Sequence, residues 1–342
     1  MSSINSSFSG RVSEIPYLTK DDKMLGFSVN GVKIFTSPGR KIFYGDLVKI
    51  NVETHSNASL LFFPQIQIME MARENLLLRI VNDTRNKFQK NFQLGFGNSQ
   101  EGQLLNGIVL GNSKGFDSNL WQKLKSVGVA HIAAASGMNI VIVTKMTTGM
   151  LGALGVLGIL EIQMATIAIT WFYALLAGGS ASVLRAATML SFACMGILFG
   201  RPNGGAIALF WAVIFMLFWN PFYIFDIGFQ LSVAATAGII LLNSSYNFYN
   251  NYNSYKEKLK QTLKSNLDTT IAATLATAPL IWWHFRTVPW VGIITNFLAV
   301  WTVDIVMKLG LLIGVFGPIR ILVWPVEALL RYFLWIVSLF GQ

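Results

Sequence analysis

Four groups of residues carry side chains that could do chemistry. The first is His131-Ile-Ala-Ala-Ala-Ser136-Gly137-Met-Asn139. It sets a histidine and a serine five residues apart. A spacing of five does not put both on one helical face, which favours three or four. The run of small residues allows close helix approach. The group reads either as tight packing where a helix begins or as a polar knot lining a cavity. The second is Ser180-Ala-Ser182-Val-Leu-Arg185. An arginine inside apolar sequence is expensive and faces a bundle interior or a water-filled path, or it snorkels to the headgroups from a helix end.

The third group is Asn220-Pro221 followed by Asp226-Ile-Gly228-Phe-Gln230-Leu-Ser232. Asn-Pro marks a turn, and Asp226 is placed either to cap the next helix or to face a channel. The fourth is Pro279 with Trp282-Trp283-His284-Phe285 and then Asn296. Aromatics clustered at the end of a span form an interfacial belt, which outranks base stacking here. No metal set is present: the histidines are His55, His131 and His284, the only cysteine is Cys194, and no HExxH occurs. No GxxxxGK[ST] offers an ATP site. The expectation is a chain without cofactor or metal and without catalytic residues.

These groups sit in an unusual composition. Of 342 residues, 53% are hydrophobic and 12% charged, against roughly 25% charged in soluble domains. That excludes a disordered chain and a disulfide scaffold. It points to a membrane protein with a soluble part. The net charge of +10 suits a polyanion or an anionic membrane surface. The first residues, MSSINSSFSGR, hold no apolar h-region, so insertion is expected to rely on an internal span or on a segment upstream of this sequence.

Residues 1–56 read as a small β domain. Met24 to Val29 and Val32 to Ile34 flank Asn30-Gly31, a strong hairpin signal. After Gly45-Asp46, Val48, Ile50 and Val52 alternate with polar residues. Residues 57–128 read as a helical connector. Within it, 65–92 form an amphipathic basic helix, with Arg79, Arg85, Lys87 and Lys90 on a solvated or membrane-surface face. Leu104 to Leu110 follow, then a turn at Gly111-Asn112 and a helix ending near Lys125.

Residues 129–342 are the membrane part. Apolar runs at 162–184, 186–200, 202–225, 227–243, 269–285, 287–303 and 309–341 give roughly seven or eight hydrophobic segments. Some are short enough to be re-entrant. A hydrophilic loop near 244–266 holds Lys256, Lys258, Lys260 and Lys264. The positive-inside rule puts it in the cytoplasm, and counting spans back puts the N-terminal domain outside. The fold class is mainly α: a polytopic transmembrane bundle with a small N-terminal β domain.

At these residues the sequence resembles the ComEC family of competence proteins. The family pattern is a glycine-aspartate step, then a motif similar to HLLAISGLH; here stand Gly111-Asn112 and His131 to Asn139. Its SxxR stretch, glycine-arginine turn and NP…D.GFQLS match Ser182 to Arg185, Gly200-Arg201, Asn220-Pro221 and Asp226 to Ser232. Pro279, His284-Phe285 and Asn296 match its later motifs. The front resembles the family's OB-like domain. Two positions depart: Asn139 replaces a histidine and Asn112 an aspartate, which puts any titrating role there in doubt. The resemblance implies a short form without the C-terminal metallo-β-lactamase-like domain of larger relatives.

The resemblance implies a multi-pass channel subunit of the cytoplasmic membrane. It would pass single-stranded DNA during natural transformation, beside a separate DNA receptor and an ATP-driven translocase. The lipid bilayer is the other partner, and self-association into a homo-oligomer is open. A positive groove with stacking aromatics suits single strands. The polar-path candidates are His131, Ser136, Asn139, Arg185, Asp226, Gln230, Ser232, His284 and Asn296. Two other classes compete. A small-solute transporter would use Arg185 and Asp226 as midplane residues. An intramembrane serine hydrolase would pair Ser136 with His284.

Overall fold

The computed structural model describes the backbone of 4–11, 17–18, 25–29, 32–36, 47–54 and 65–70, and residues 76–112, 116–133, 135–200, 204–242, 255–286 and 291–341, with side chains in the 255–286 helix from 267 onward and without that of Phe285. The turns at Asn30-Gly31 and Gly45-Asp46, residue Arg201 and segment 243–254 lie outside the described residues.

Among the described residues, six strands make two three-stranded antiparallel sheets. β1 (Ile4–Arg11), β5 (Leu47–Thr54) and β6 (Gln65–Glu70) form one, with β5 central. β2 (Tyr17–Leu18), β3 (Leu25–Val29) and β4 (Val32–Thr36) form the other. Val29 pairs with Val32, the register a two-residue hairpin loop requires. Residues 65–70 are a strand, where the periodicity led us to expect helix. Isoleucine at 66 and 68 alternates with glutamine, a pattern of period two that edge pairing with β5 selects.

The helices are α1 (Leu76–Phe96), α2 (Gln100–Leu110), α3 (Ser118–Ser126), α4 (Gly137–Ala153), α5 (Ile159–Leu176) and α6 (Ala181–Leu198). Then come α7 (Gly205–Trp219), a 3-10 turn (Pro221–Phe225), α8 (Ile227–Leu242), α9 (Tyr255–Phe285), α10 (Gly292–Phe316) and α11 (Arg320–Phe340). Four of them, α5, α6, α10 and α11, are long and apolar enough to cross a membrane. α7 and α8 are apolar but shorter, with 15 and 16 residues, about 22 and 24 Å at about 1.5 Å per residue.

Three boundaries differ from the sequence reading, each for a local reason. The run 162–184 is two helices, because Gly178 and Gly179 take positive φ and end α5. The break expected at Lys308 is absent, because Lys308 pairs with Asp304 one turn back and α10 continues to Gly317-Pro318. The hydrophilic loop stops earlier than expected, because α9 begins at Tyr255 and Lys256 to Lys264 lie on a helix.

The core wraps α2. Leu104, Leu105, Ile108, Val109 and Leu110 are fully buried against Phe88 and Phe92 of α1, Val303, Val306 and Met307 of α10, and Leu330 and Phe333 of α11. Ser99 caps α2 by accepting from the Gly102 N–H, and Gly111 (φ 69°) closes its other end. On α1 the buried stripe is Val81, Arg85, Phe88 and Phe92, while Leu76, Leu77 and Ile80 are exposed. So Arg85 lies on the core face of α1 and not on the solvated or membrane-surface face expected for it.

Candidate functional site

The polar residues gather where helix ends meet inside the bundle. α2 ends at Gly111, α5 ends at Leu176, and α4 and α6 begin at Gly137 and Ala181. Gly111 has no room for a side chain: a Cβ there would strike the Ala177 carbonyl oxygen and lie 2.8 Å from the Ala135 Cβ. Two helix C-termini and two N-termini thus share one region. Terminal carbonyls and N–H groups have no partners within their own helix, so side chains must supply them.

They do so unevenly. The carbonyls at the end of α2 are satisfied: Asn139 Nδ2 donates to the Ile108 oxygen at 2.6 Å and Tyr173 Oη to that of Val109 at 2.9 Å. Arg85 Nη1 donates to the Leu176 oxygen, the last carbonyl of α5. A cation at a helix C-terminus is favoured by the dipole. Burial lowers the Arg85 pKa to about 10, with Tyr173 opposing, so Arg85 keeps its charge at neutral pH. The N-terminus of α4 is the exception. Ser136 precedes it but makes no capping bond.

Arg185 stands at that end. It is buried at 6% exposure. Its Nε donates to Ser232 Oγ of α8 at 2.8 Å, and Nη1 lies 2.8 Å from Met189 Sδ. A Cβ placed on Gly137 would lie 3.3 Å from Nη2. The guanidinium therefore joins α6 to α8 and borders the start of α4. No carboxylate pairs with it among the described residues. A buried cation beside a helix N-terminus, itself the positive end of a dipole, makes a strongly electropositive point.

The helices around Arg185 close on themselves. α4 packs on α6, α6 on α8, α8 on α9, α9 on α10 and α10 on α4. Arg185 lies where α6 meets α8 and the start of α4. Glycine lets α8 and α9 approach: a Cβ on Gly238 would collide with Ala276.

The other expected residues are spread out. Asp226 caps α8, accepting from the Phe229 N–H at 2.6 Å, and Asn220 accepts from the Phe222 N–H at 3.1 Å. Gln230 donates to the Ile224 carbonyl at 2.7 Å. These three tie the 3-10 turn to α8. Asn139 is buried beneath the start of α4. Asn296 is on α10, its Oδ1 buried without a partner. His131 is exposed in the turn after α3, and His284 is exposed near the end of α9 with Nδ1 2.9 Å from the Leu280 oxygen. No hydrogen bond joins Ser136 to His284 among the described residues. No group of three metal-binding side chains occurs among them either.

Sequence reading missed Arg85 and Tyr173. The signal for Arg85 was present: it shares the spacing of Val81, Phe88 and Phe92 on the buried stripe, and its charge led it to be grouped with the exposed Lys87 and Lys90.

Comparison with known proteins agrees with these motifs. The model of the family described as Competence protein matches residues 108–342. A curated relative, ComE operon protein 3 of Bacillus subtilis (strain 168), is 26% identical over 200 residues, covering 58% of this chain and 24% of that protein. The match thus spans about a quarter of that relative's length. No solved structure matches. The matched residues take in α4 to α11, Arg185 and the junction of helix ends, and the chain belongs to the competence protein family.

Proposed function

We propose that this chain is the membrane-crossing part of a conduit for single-stranded DNA in the cytoplasmic membrane during natural transformation. The observation that carries the reading is Arg185. A buried cation with no carboxylate partner among the described residues, bonded to α8 and bordering the start of α4, suits a phosphodiester backbone. The start of α4, where Ser136 makes no capping bond, adds N–H donors for an anion. The Arg185–Ser232 bond bridges α6 and α8.

In this reading the two N-terminal sheets form an OB-like domain outside the membrane, which hands the strand to the bundle. The basic balance of residues 1–128 supports that assignment. A DNA receptor and an ATP-driven translocase are separate partners.

The test is DNA uptake in a naturally transformable host, comparing deletion, wild type, Arg185→Ala and Arg185→Lys at matched membrane levels. Loss of uptake in the deletion and in Arg185→Ala, with partial recovery in Arg185→Lys, is expected. Uptake that survives deletion overturns the reading. The transporter alternative would then take its place, since helix ends meeting inside a bundle also serve small anionic solutes.

A further inference from the structure

The turn between α7 and α8 presents large apolar side chains outward. Phe218 and Trp219 end α7, and Phe222 and Phe225 lie in the 3-10 turn; all four are between 76% and 87% exposed. Ile224 beside them is exposed as well. Contiguous apolar surface of this kind marks a partner or a membrane.

The backbone of the turn points to lipid. Inside a bilayer every N–H and C=O needs a partner within the protein, because no water is there to supply one. The polar residues of this segment meet that need. Asn220 Oδ1 accepts from the Phe222 N–H at 3.1 Å, and the Asn220 carbonyl accepts from the Tyr223 N–H at 3.2 Å. Pro221 has no N–H to satisfy. The Asp226 N–H donates to the Tyr223 carbonyl at 3.0 Å, and Asp226 Oδ1 accepts from the Phe229 N–H at 2.6 Å. Gln230 Nε2 reaches back to the Ile224 carbonyl at 2.7 Å. Polar atoms close on the backbone while aromatic rings face out, the reverse of a turn built for water.

Length agrees. α7 alone, at 15 residues, falls short of the about 20 that a span needs. With Asn220 and the turn added, the uncharged residues 205–225 reach that length. The outer side of α7 leads into the turn without a charge, and Phe210, Trp211, Ile214 and Phe215 are exposed along it.

We propose that the α7–α8 turn is a lipid-anchoring tip, with Phe218, Trp219, Phe222 and Phe225 set in the interfacial layer of the bilayer. Tryptophan favours that layer. Asp226, the first charge after the run and itself exposed, then lies at the level of the headgroups. The anchor does not depend on what the bundle conducts.

Spin labels on the full chain test the tip, in liposomes of phosphatidylethanolamine and phosphatidylglycerol. Cys194 is the only cysteine, so Cys194→Ser gives a clean background. Phe222→Cys and Phe225→Cys are each labelled with a nitroxide. Two collision rates are read for each: with oxygen, which enriches in lipid, and with a nickel complex, which stays in water. Ile214→Cys, on the exposed side of α7, is the lipid reference, and Asn98→Cys, in the polar turn after α1, is the water reference. Both test positions are exposed, so removing either ring takes little packing with it, and agreement between the two guards against a local fault in one. Oxygen collision near that of Ile214→Cys and nickel collision severalfold below that of Asn98→Cys are expected. Nickel collision equal to that of Asn98→Cys puts the turn in water and overturns the anchor. Low collision with both reagents means that protein covers the turn, which also overturns it; dipolar broadening between labels would identify that protein as a second copy of this chain.

Discussion

Arg185 Nε donates to Ser232 Oγ at 2.8 Å, and this bond joins α6 to α8 across 47 residues of chain. Asp226, Gln230 and Ser232 belong to one sequence motif, but they do different work. Asp226 and Gln230 fix the turn before α8. Ser232 alone faces the arginine.

Ser232→Ala should therefore destabilise the protein more than a typical serine change. It leaves Nε of a buried guanidinium without its acceptor, which costs about 1–3 kcal/mol. Thermal unfolding of the detergent-solubilised protein measures this. Ser232→Thr keeps the acceptor and should recover most of the loss. Equal melting temperatures for Ser232→Ala and wild type would show that the bond does not hold α6 to α8.

Two glycines make a matched pair. Gly111 has φ 69°, and a Cβ there meets the Ala177 carbonyl. Gly111→Ala combines a left-handed backbone, costing about 1–2 kcal/mol, with a collision at the junction of helix ends. Gly149 lies inside α4 with nothing within 4 Å of a built Cβ. Gly149→Ala should stabilise by about 0.5–1 kcal/mol, because alanine loses less backbone freedom in a helix. Opposite shifts in melting temperature are expected, and a fall in both would contradict this packing.

Asn139 stands where the resemblance places a histidine. Its Nδ2 donates to the Ile108 carbonyl from a fully buried position. The need here is a donor toward the end of α2, not a titrating group. Asn139→Asp puts a carboxylate against a carbonyl oxygen and should cost about 3 kcal/mol or more. Asn139→Ala only leaves the carbonyl unpaired and should cost less. That order, read as protein accumulation in the membrane and as melting temperature, checks the donor role.

The parts of the fold legible in the sequence were those set by local rules. The Asn220 and Asp226 caps, the Gly111 stop and the Val29–Val32 hairpin all follow from short-range chemistry. Lys308 misled because its partner, Asp304, is a turn away, and the pair lets a helix continue through two charges. The extent of α1 misled because Gln65–Glu70 pairs with β5, a contact local periodicity does not contain. Arg185 was legible as a residue, but its neighbours were not. Ser232 and the start of α4 reach it only through the packing of α6, α4 and α8.

Arg85 offers the last prediction, because its two roles can be separated. One role is packing: its side chain fills space on the buried stripe of α1. The other is the bond from Nη1 to the Leu176 carbonyl at the end of α5. Its Nε is buried without a partner, so the charge is incompletely solvated. Arg85→Ala removes packing and bond together and should cost about 2–5 kcal/mol, as large-to-small core changes do. Arg85→Met keeps the volume and removes the desolvated charge, which offsets part of the lost bond. The methionine variant should therefore melt well above the alanine variant and near the wild type. The pH dependence gives a second check. Burial lowers the Arg85 pKa to about 10, so above that pH the unfolded chain binds more protons at this site than the folded one. Wild-type stability should then gain on Arg85→Met as pH rises through 10. A wild type that instead loses ground there would mean that the folded chain favours the charged guanidinium.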